Sequence, residues 1–290
     1  MKIAVDCLYG TSRDYLDFLL KEANCKVEPL HNWPDPYFGG KRPEPAKESI
    51  EELTECVRKK RLDLGLACDG DADRFGIVDS DGTIISANQI ISLLLYHLIK
   101  TRPIKKNSVA ARTVATTHMI DKICGKFGIK VYETPVGFKY FTPYLTKDNC
   151  IIAGEESGGL SISGHLPEKD GILACLLAAE MVAMNKKPIR KLLESLYKEF
   201  GYFHFRRLDL RMEQERKNRL TNRLKNNPPK VFAEKPVSKI NKKDGCKLLF
   251  GDGSWVLFRP SGTEPVVRCY FEARTEERLK ELIRAGKKLT

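Results

Sequence analysis

The chain has 290 residues, 42% hydrophobic and 30% charged, a balance that excludes a disordered chain and gives apolar matter enough for two or three domains. No apolar run approaches the ~18 residues of a membrane span, and the N-terminal MKIAVDCLYG reaches Asp6 before any signal-like apolar core can form, so the expected setting is the cytoplasm with no membrane partner. The net charge of +12 is uneven: 201–290 carries 22 Lys and Arg against 11 Asp and Glu, which leaves +1 for everything before it. A basic third serves phosphate or nucleic acid, unless it is a solvated face. The basic residues there are mixed with acids and lack a series of stacking aromatics, so nucleic acid is not the expected partner.

In chain order, KIAVDC (2–7) reads as a strand, Gly10 turns the chain, and Leu16, Leu19 and Leu20 follow at helical spacing. KVEPL (26–30) is a second strand, and the Pro- and Gly-rich stretch that follows is loop. Ile50, Leu53 and Val57 mark one face of a helix; LDLGLAC (62–68) and FGIVD after it are strands. The first unit is expected to close near Arg102-Pro103. SVAARTVAT, IKVYETPVG and CIIAG repeat the strand rhythm, with a helix from Met119 to Phe127 and another that Asp170 caps. The last third begins with YFHFRRLDLRM, which alternates as a strand does. A basic helix follows, then a hairpin about Gly251-Asp252-Gly253, the strand VVRCYFEA and an amphipathic helix. Strands alternating with helices predict an α/β fold with two mixed, mostly parallel sandwich domains, followed by a smaller α+β domain. The nine cysteines are odd in number and contain no CxxC pair, so reduced core thiols are expected rather than zinc or disulfides.

Three loops carry candidate chemistry. Asp69, Asp71 and Asp73 follow an apolar strand at alternate positions, with Arg74 beside them. Carboxylates so concentrated repel one another unless a cation joins them, and a hard divalent ion such as Mg²⁺ suits oxygen ligands. An EF-hand is excluded, because its sixth position is Arg74 and its twelfth is Ser80. Gly154-Glu155-Glu156-Ser157-Gly158-Gly159 offers carboxylates among glycines, which suits sugar hydroxyls. Arg259-Pro260-Ser261-Gly262-Thr263-Glu264-Pro265, with Arg268 nearby, offers hydroxyls, N–H groups and guanidinium ions to a phosphate. Lesser candidates are Arg112, His118, Lys139, His165, Lys169 and Asp170.

With DGDADR, VGFK, GEESGG and RPSGTEP in that order, and with FGGKRPEP and EKDG between them, the sequence resembles the phosphoglucomutase/phosphomannomutase family, the α-D-phosphohexomutases. The resemblance runs from the first strand to the last helix. It implies four domains around one cleft, of which this chain supplies the second (1–103, metal loop), third (104–198, sugar loop) and fourth (199–290, a TBP-like α+β phosphate-binding domain). It implies Mg²⁺ as cofactor on Asp69, Asp71 and Asp73, with Arg74 beside it. Glu155 and Ser157 match the residues that hold sugar hydroxyls. Arg259, Ser261, Gly262, Thr263 and Arg268 match the loop that grips the non-transferring phosphate. Lys139 matches an active-site lysine, and Arg112, His118 and Lys169 follow by the same likeness.

The family's first domain carries its phosphorylated serine in a T-A-S-H-N-P-like loop, and no such stretch occurs here. The expectation is therefore a hexose phosphate mutase, for glucose or mannose phosphates, represented by a catalytically incomplete piece; a non-catalytic binding or regulatory protein is the alternative. The proton of the sugar hydroxyl needs a general acid and base, for which Lys139 and His118 are the candidates.

Overall fold

The strands of the first 85 residues form a five-stranded sheet because each is short and followed by a turn, and the central ones are apolar and buried. The structure, a computed structural model, describes residues 1–147, 149–262 and 264–289. In chain order it begins with β1 (Lys2–Asp6), α1 (Leu16–Glu22), β2 (Lys26–Leu30), α2 (Glu51–Lys60), β3 (Leu64–Cys68), β4 (Phe75–Asp79) and β5 (Ile84–Ile85). The strand order is β2-β1-β3-β4-β5. Pairing is parallel across β2, β1 and β3, then antiparallel to β4 and β5. The Ile50, Leu53 and Val57 stripe packs with Ala4, Leu62, Ala67 and Val78, as its helical spacing requires.

Next come α3 (Ala87–Thr101), β6 (Val109–Thr113), α4 (Met119–Lys126), β7 (Lys130–Thr134), α5 (Thr142–Leu145), β8 (Cys150–Gly154), β9 (Leu160–Ser161), α6 (Gly171–Asn185) and α7 (Ile189–Phe200). Their sheet runs β7-β6-β8-β9, with β6 and β8 parallel and β9 antiparallel. The apolar stretch after Ser86 is a buried helix, closed at its start by a reciprocal Ser86–Gln89 capping box. Among the described residues no helix is long and apolar enough to cross a membrane. Helix α6 is apolar all round because it touches β3 and β4 of the first sheet as well as β9 and α3. The two sheets thereby join in one unit, Met1–Arg112, Ile120–Tyr132 and Gly137–Glu199.

A second unit takes Phe200–Thr290 together with the loop segments Thr113–Met119 and Glu133–Val136. It contains β10 (His204–Arg211), α8 (Gln214–Asn226), β11 (Val231–Phe232), β12 (Lys235–Asn241), β13 (Cys246–Phe250), β14 (Trp255–Pro260), β15 (Val266–Ala273) and α9 (Glu276–Leu289). The six strands run β10-β15-β14-β13-β12-β11, every pair antiparallel. Alternation sorts β14 onto two faces. Val256 and Phe258 pack with Leu220, Leu224 and Leu282 of the helices. Trp255 and Leu257 pack with Val114, Ala115 and Tyr270.

All nine cysteines are free and seven are buried. Burial pushes the thiols of Cys124, Cys150 and Cys269 up to about 12, so they are inert packing groups.

Asp252 fixes the β13–β14 hairpin, accepting from the Ser254 N–H at 2.8 Å and from Lys235 Nζ at 2.8 Å. Burial raises its carboxyl, but the Lys235 ammonium and the Ser254 donors outweigh that and bring it down to about 2. A depressed carboxyl contributes stability above its unfolded value of 3.8 and loses it as the pH falls towards 2. With allowance for its partial exposure, Asp252→Asn is expected to cost about 1 kcal/mol at neutral pH. The deficit should shrink progressively in urea melts taken below about pH 4.

Candidate active site

The loop from Asp69 to Arg74 connects the antiparallel strands β3 and β4. It is closed by Arg74 N–H to Asp69 Oδ1 at 2.8 Å and by Ala72 N–H to Asp69 O at 3.0 Å. Ala72 takes the left-handed conformation, φ 60°, which residues with a Cβ adopt only when the surroundings impose it. The turn gathers one carboxylate oxygen from each of Asp69, Asp71 and Asp73 within 4.8 Å of one another. Oxygens around an octahedral Mg²⁺ stand ~3–4 Å apart, so the set fits. Asp69 is buried, and burial raises its carboxyl pKa against the backbone hydrogen bond from Arg74. Asp73 Oδ1 is buried and makes no hydrogen bond among the described residues, with the Arg74 guanidinium near it at 3.6 Å. An all-oxygen set with one oxygen not hydrogen-bonded fits a hard divalent cation. Arg74 Nε lies 3.8 Å from Asp69 and 3.6 Å from Asp73, and Lys169 Nζ pairs with Asp73.

The same unit ties this loop to the glycine-rich one. Phe75 N–H donates to Gly158 O at 3.3 Å, and Gly171 N–H donates to Ala72 O at 2.9 Å. Asp170 caps α6 through Leu173 N–H and takes His165 Nε2 at 2.8 Å. Glu155 is buried; its Oε1 accepts the Gly137 N–H at 2.9 Å, which fastens the VGFK turn to the glycine-rich loop. Ser157 is exposed. Lys139 is also exposed, its Nζ 5.3 Å from the centre of the Tyr140 ring, and it makes no ion pair among the described residues. Arg112 is buried and clamps Asp121 through two hydrogen bonds of 2.6 and 2.9 Å, so its guanidinium holds α4 to β6.

In the second unit Arg259 and Arg268 face each other across the β14–β15 ladder. Like charges directly opposite destabilise a sheet unless something negative joins them. Arg259 meets Asp244 at 2.8 Å and Arg268 meets Glu264 at 2.9 Å, while the buried Arg268 Nε makes no hydrogen bond among the described residues and lies 3.9 Å from Asp209. Ser261 N–H donates to Val266 O, and Ser261 Oγ accepts the Glu264 N–H at 3.2 Å, which closes the turn. Gly262 is exposed at its tip. Thr263 lies outside the described residues. Lys217 on α8 reaches the turn from beneath, donating to Ser261 O at 2.6 Å and Glu264 O at 2.7 Å.

His118 lies in the second unit with its Nε2 2.9 Å from Lys247 Nζ and its ring 5.4 Å from that of Trp255. An ammonium has only donors, so Nε2 accepts there. Lys217, Lys247 and Glu272 are buried polar groups that no sequence motif flagged. Lys217 was nevertheless detectable, because it shares the Leu220 and Leu224 stripe of α8.

Three family models match, each described as part of phosphoglucomutase/phosphomannomutase: domain II over 1–82, domain III over 86–200 and the C-terminal domain over 211–285. A phosphoglucomutase/phosphomannomutase of Thermococcus kodakarensis is 32% identical over 287 residues, covering 99% of this chain and 60% of that protein. A probable phosphoglucosamine mutase of Methanothermobacter thermautotrophicus is 32% identical over 278 residues, covering 96% of this chain and 58% of that protein. The crystal structure of a putative phosphomannomutase from Thermus thermophilus superposes with a TM-score of 0.81 at 29% identity, covering 99% of this chain and 60% of that one. The chain thus spans about 60% of the length of these relatives.

Proposed function

Because the chain belongs to the phosphoglucomutase/phosphomannomutase family, we propose that it supplies the metal, sugar and phosphate loops of a phosphohexose mutase, which moves phosphate between the 1- and 6-positions of glucose or mannose. The observation that carries this reading is the convergence of the Asp69, Asp71 and Asp73 oxygens within 4.8 Å on a loop bonded to the glycine-rich sugar loop. The reading assigns one loop to each of three sequence blocks, 1–103, 104–198 and 199–290.

In this reading Asp69, Asp71 and Asp73 hold Mg²⁺, which when bound neutralises the oxygens of the transferring phosphoryl group. Arg74 and Lys169 balance the aspartates that the ion leaves uncompensated. Glu155 and Ser157 orient the sugar through its hydroxyls. Arg259, Ser261, Gly262, Thr263 and Arg268 hold the non-transferring phosphate. Of the two proton carriers, the reading leans on Lys139, since His118 Nε2 already accepts from Lys247. The free thiols support a reducing, cytoplasmic setting.

The relatives carry mannose, glucose and glucosamine names, so the test uses all three hexose phosphates with Mg²⁺ on the 290-residue chain. Calorimetry is expected to show weak Mg²⁺ binding that Asp71→Asn removes, together with weak binding of glucose 1-phosphate. Mg²⁺ affinity below micromolar would count against a site that borrows a ligand from the phosphoserine. A coupled assay is expected to show no glucose 6-phosphate above background, since no TASHNP-like serine is present. Robust conversion would overturn the incompleteness; absence of any hexose phosphate binding would overturn the function itself.

A further inference from the structure

Helix α8 is a solvated basic helix in all but one respect. Its sequence QERKNRLTNRLKN buries Lys217 with Leu220 and Leu224, at helical spacing on the inward stripe. Lys217 is 7% exposed, and no carboxylate lies within ion-pairing distance of it among the described residues. Burying an ammonium away from a counter-ion is costly. What Nζ meets instead is two backbone carbonyls, Ser261 O at 2.6 Å and Glu264 O at 2.7 Å. These stand on either side of the turn at Gly262.

A planar trans peptide points its C=O and N–H in opposite directions. With Ser261 C=O held on Lys217, the Gly262 N–H of the same peptide is turned away from the helix. Gly262 is exposed, and among the described residues nothing lies within 4 Å of where a Cβ on it would stand, so the tip of the turn is open to solvent. On the two strands that this turn joins, Arg259 and Arg268 stand opposite each other in register. We propose that Lys217 is a positioning residue for anion binding: it fixes the turn so that the Gly262 N–H is presented outward, and it adds a buried positive charge behind the bound phosphate. The inference rests on the reading of this turn as a phosphate loop. It explains why the core position is lysine, because a neutral donor could tie the turn but would leave no charge for an anion.

The test uses the 290-residue chain with inorganic phosphate as probe and glucose 1-phosphate as a second ligand. In the unsubstituted protein the Gly262 amide signal is expected to be among those that phosphate moves most in a ¹⁵N titration. A Gly262 amide that stays put while phosphate binds would overturn the proposal without any variant. Lys217→Met keeps the apolar stem and is expected to weaken phosphate about tenfold. The salt dependence of binding should also be shallower, with Mg²⁺ binding in the first unit unchanged. A merely structural lysine would lower the unfolding midpoint without altering the salt dependence. Affinity within twofold of the unsubstituted chain, or an unchanged salt dependence, would overturn the proposal. Binding of inorganic phosphate but not of hexose phosphate would refute the sugar reading and leave Lys217 to be judged on phosphate. Binding of neither would overturn both.

Discussion

Gly171→Ala is expected to destabilise the first unit by about 2 kcal/mol and to weaken Mg²⁺ binding. At the first turn of an ordinary helix the same change would be stabilising, since alanine has the better helix propensity and a less flexible unfolded chain. Here the sign inverts because of what stands opposite. A Cβ on Gly171 would lie 2.4 Å from Arg74 O and 2.9 Å from Ala72 O. Both are backbone atoms of the aspartate loop, so neither can swing aside as a side chain would. Relief requires α6 to withdraw, which stretches the Gly171 N–H to Ala72 O bond and the pairing of Lys169 with Asp73. Urea unfolding measures the first effect and Mg²⁺ calorimetry the second. An alanine variant as stable as the parent would show that the loop and helix are not in this contact.

Lys247→Met is expected to cost the second unit about 3 kcal/mol, the range for breaking a buried charged cluster. Lys247 is 1% exposed. Its Nζ donates to Val114 O at 2.7 Å and to His118 Nε2 at 2.9 Å, sits 3.4 Å from Glu133 and lies 3.9 Å from the centre of the Trp255 ring. Beside it Glu272 is buried, which raises its carboxyl pKa, and it accepts from Trp255 Nε1 at 2.7 Å and the His118 N–H at 3.0 Å. Methionine fills the volume but takes the donor from the Val114 carbonyl and the positive charge from beside two carboxylates. Arginine is no remedy, since its longer planar fork does not fit the space of a compact ammonium held among Val114 O, His118 Nε2 and Glu133. The solvent-facing Lys239→Met on β12 should change stability by less than about 0.5 kcal/mol. Equal stabilities for the two variants in urea melts would refute the assignment of Lys247 as a core cation.

Most of the strands and the three candidate loops were legible because their signals are local. Asp69, Asp71 and Asp73 alternate directly after a buried strand, and Asp170 announces the start of α6. Several elements, α3 and α5 among them, were not expected from the sequence, and two of these show why. Helix α7 has its start fixed by Asp79, whose carboxylate accepts the N–H groups of Ile189 and Arg190 at 2.9 Å each. That cap lies over a hundred residues away, so no nearby residue advertises it. Strand β12, KPVSKIN, is polar and extends only because β13 offers it a ladder. The sequence also suggested boundaries between consecutive blocks, whereas Thr113–Met119 and Glu133–Val136 fold with the last third.

Which carboxylates, hydroxyls and guanidinium groups stand together on each loop follows from the chain alone, since a turn of a few residues fixes their spacing. Which of them remain available to a ligand depends on the fold. Arg112 is held by Asp121, His118 leans on Lys247, and Asp73 keeps an oxygen with no hydrogen bond among the described residues. Lys217, one basic residue among many on α8, is the one whose ammonium is carried inward to the Ser261 and Glu264 carbonyls. The physical reason is that hydrogen-bond saturation and burial depend on partners far along the chain, and no local pattern records them.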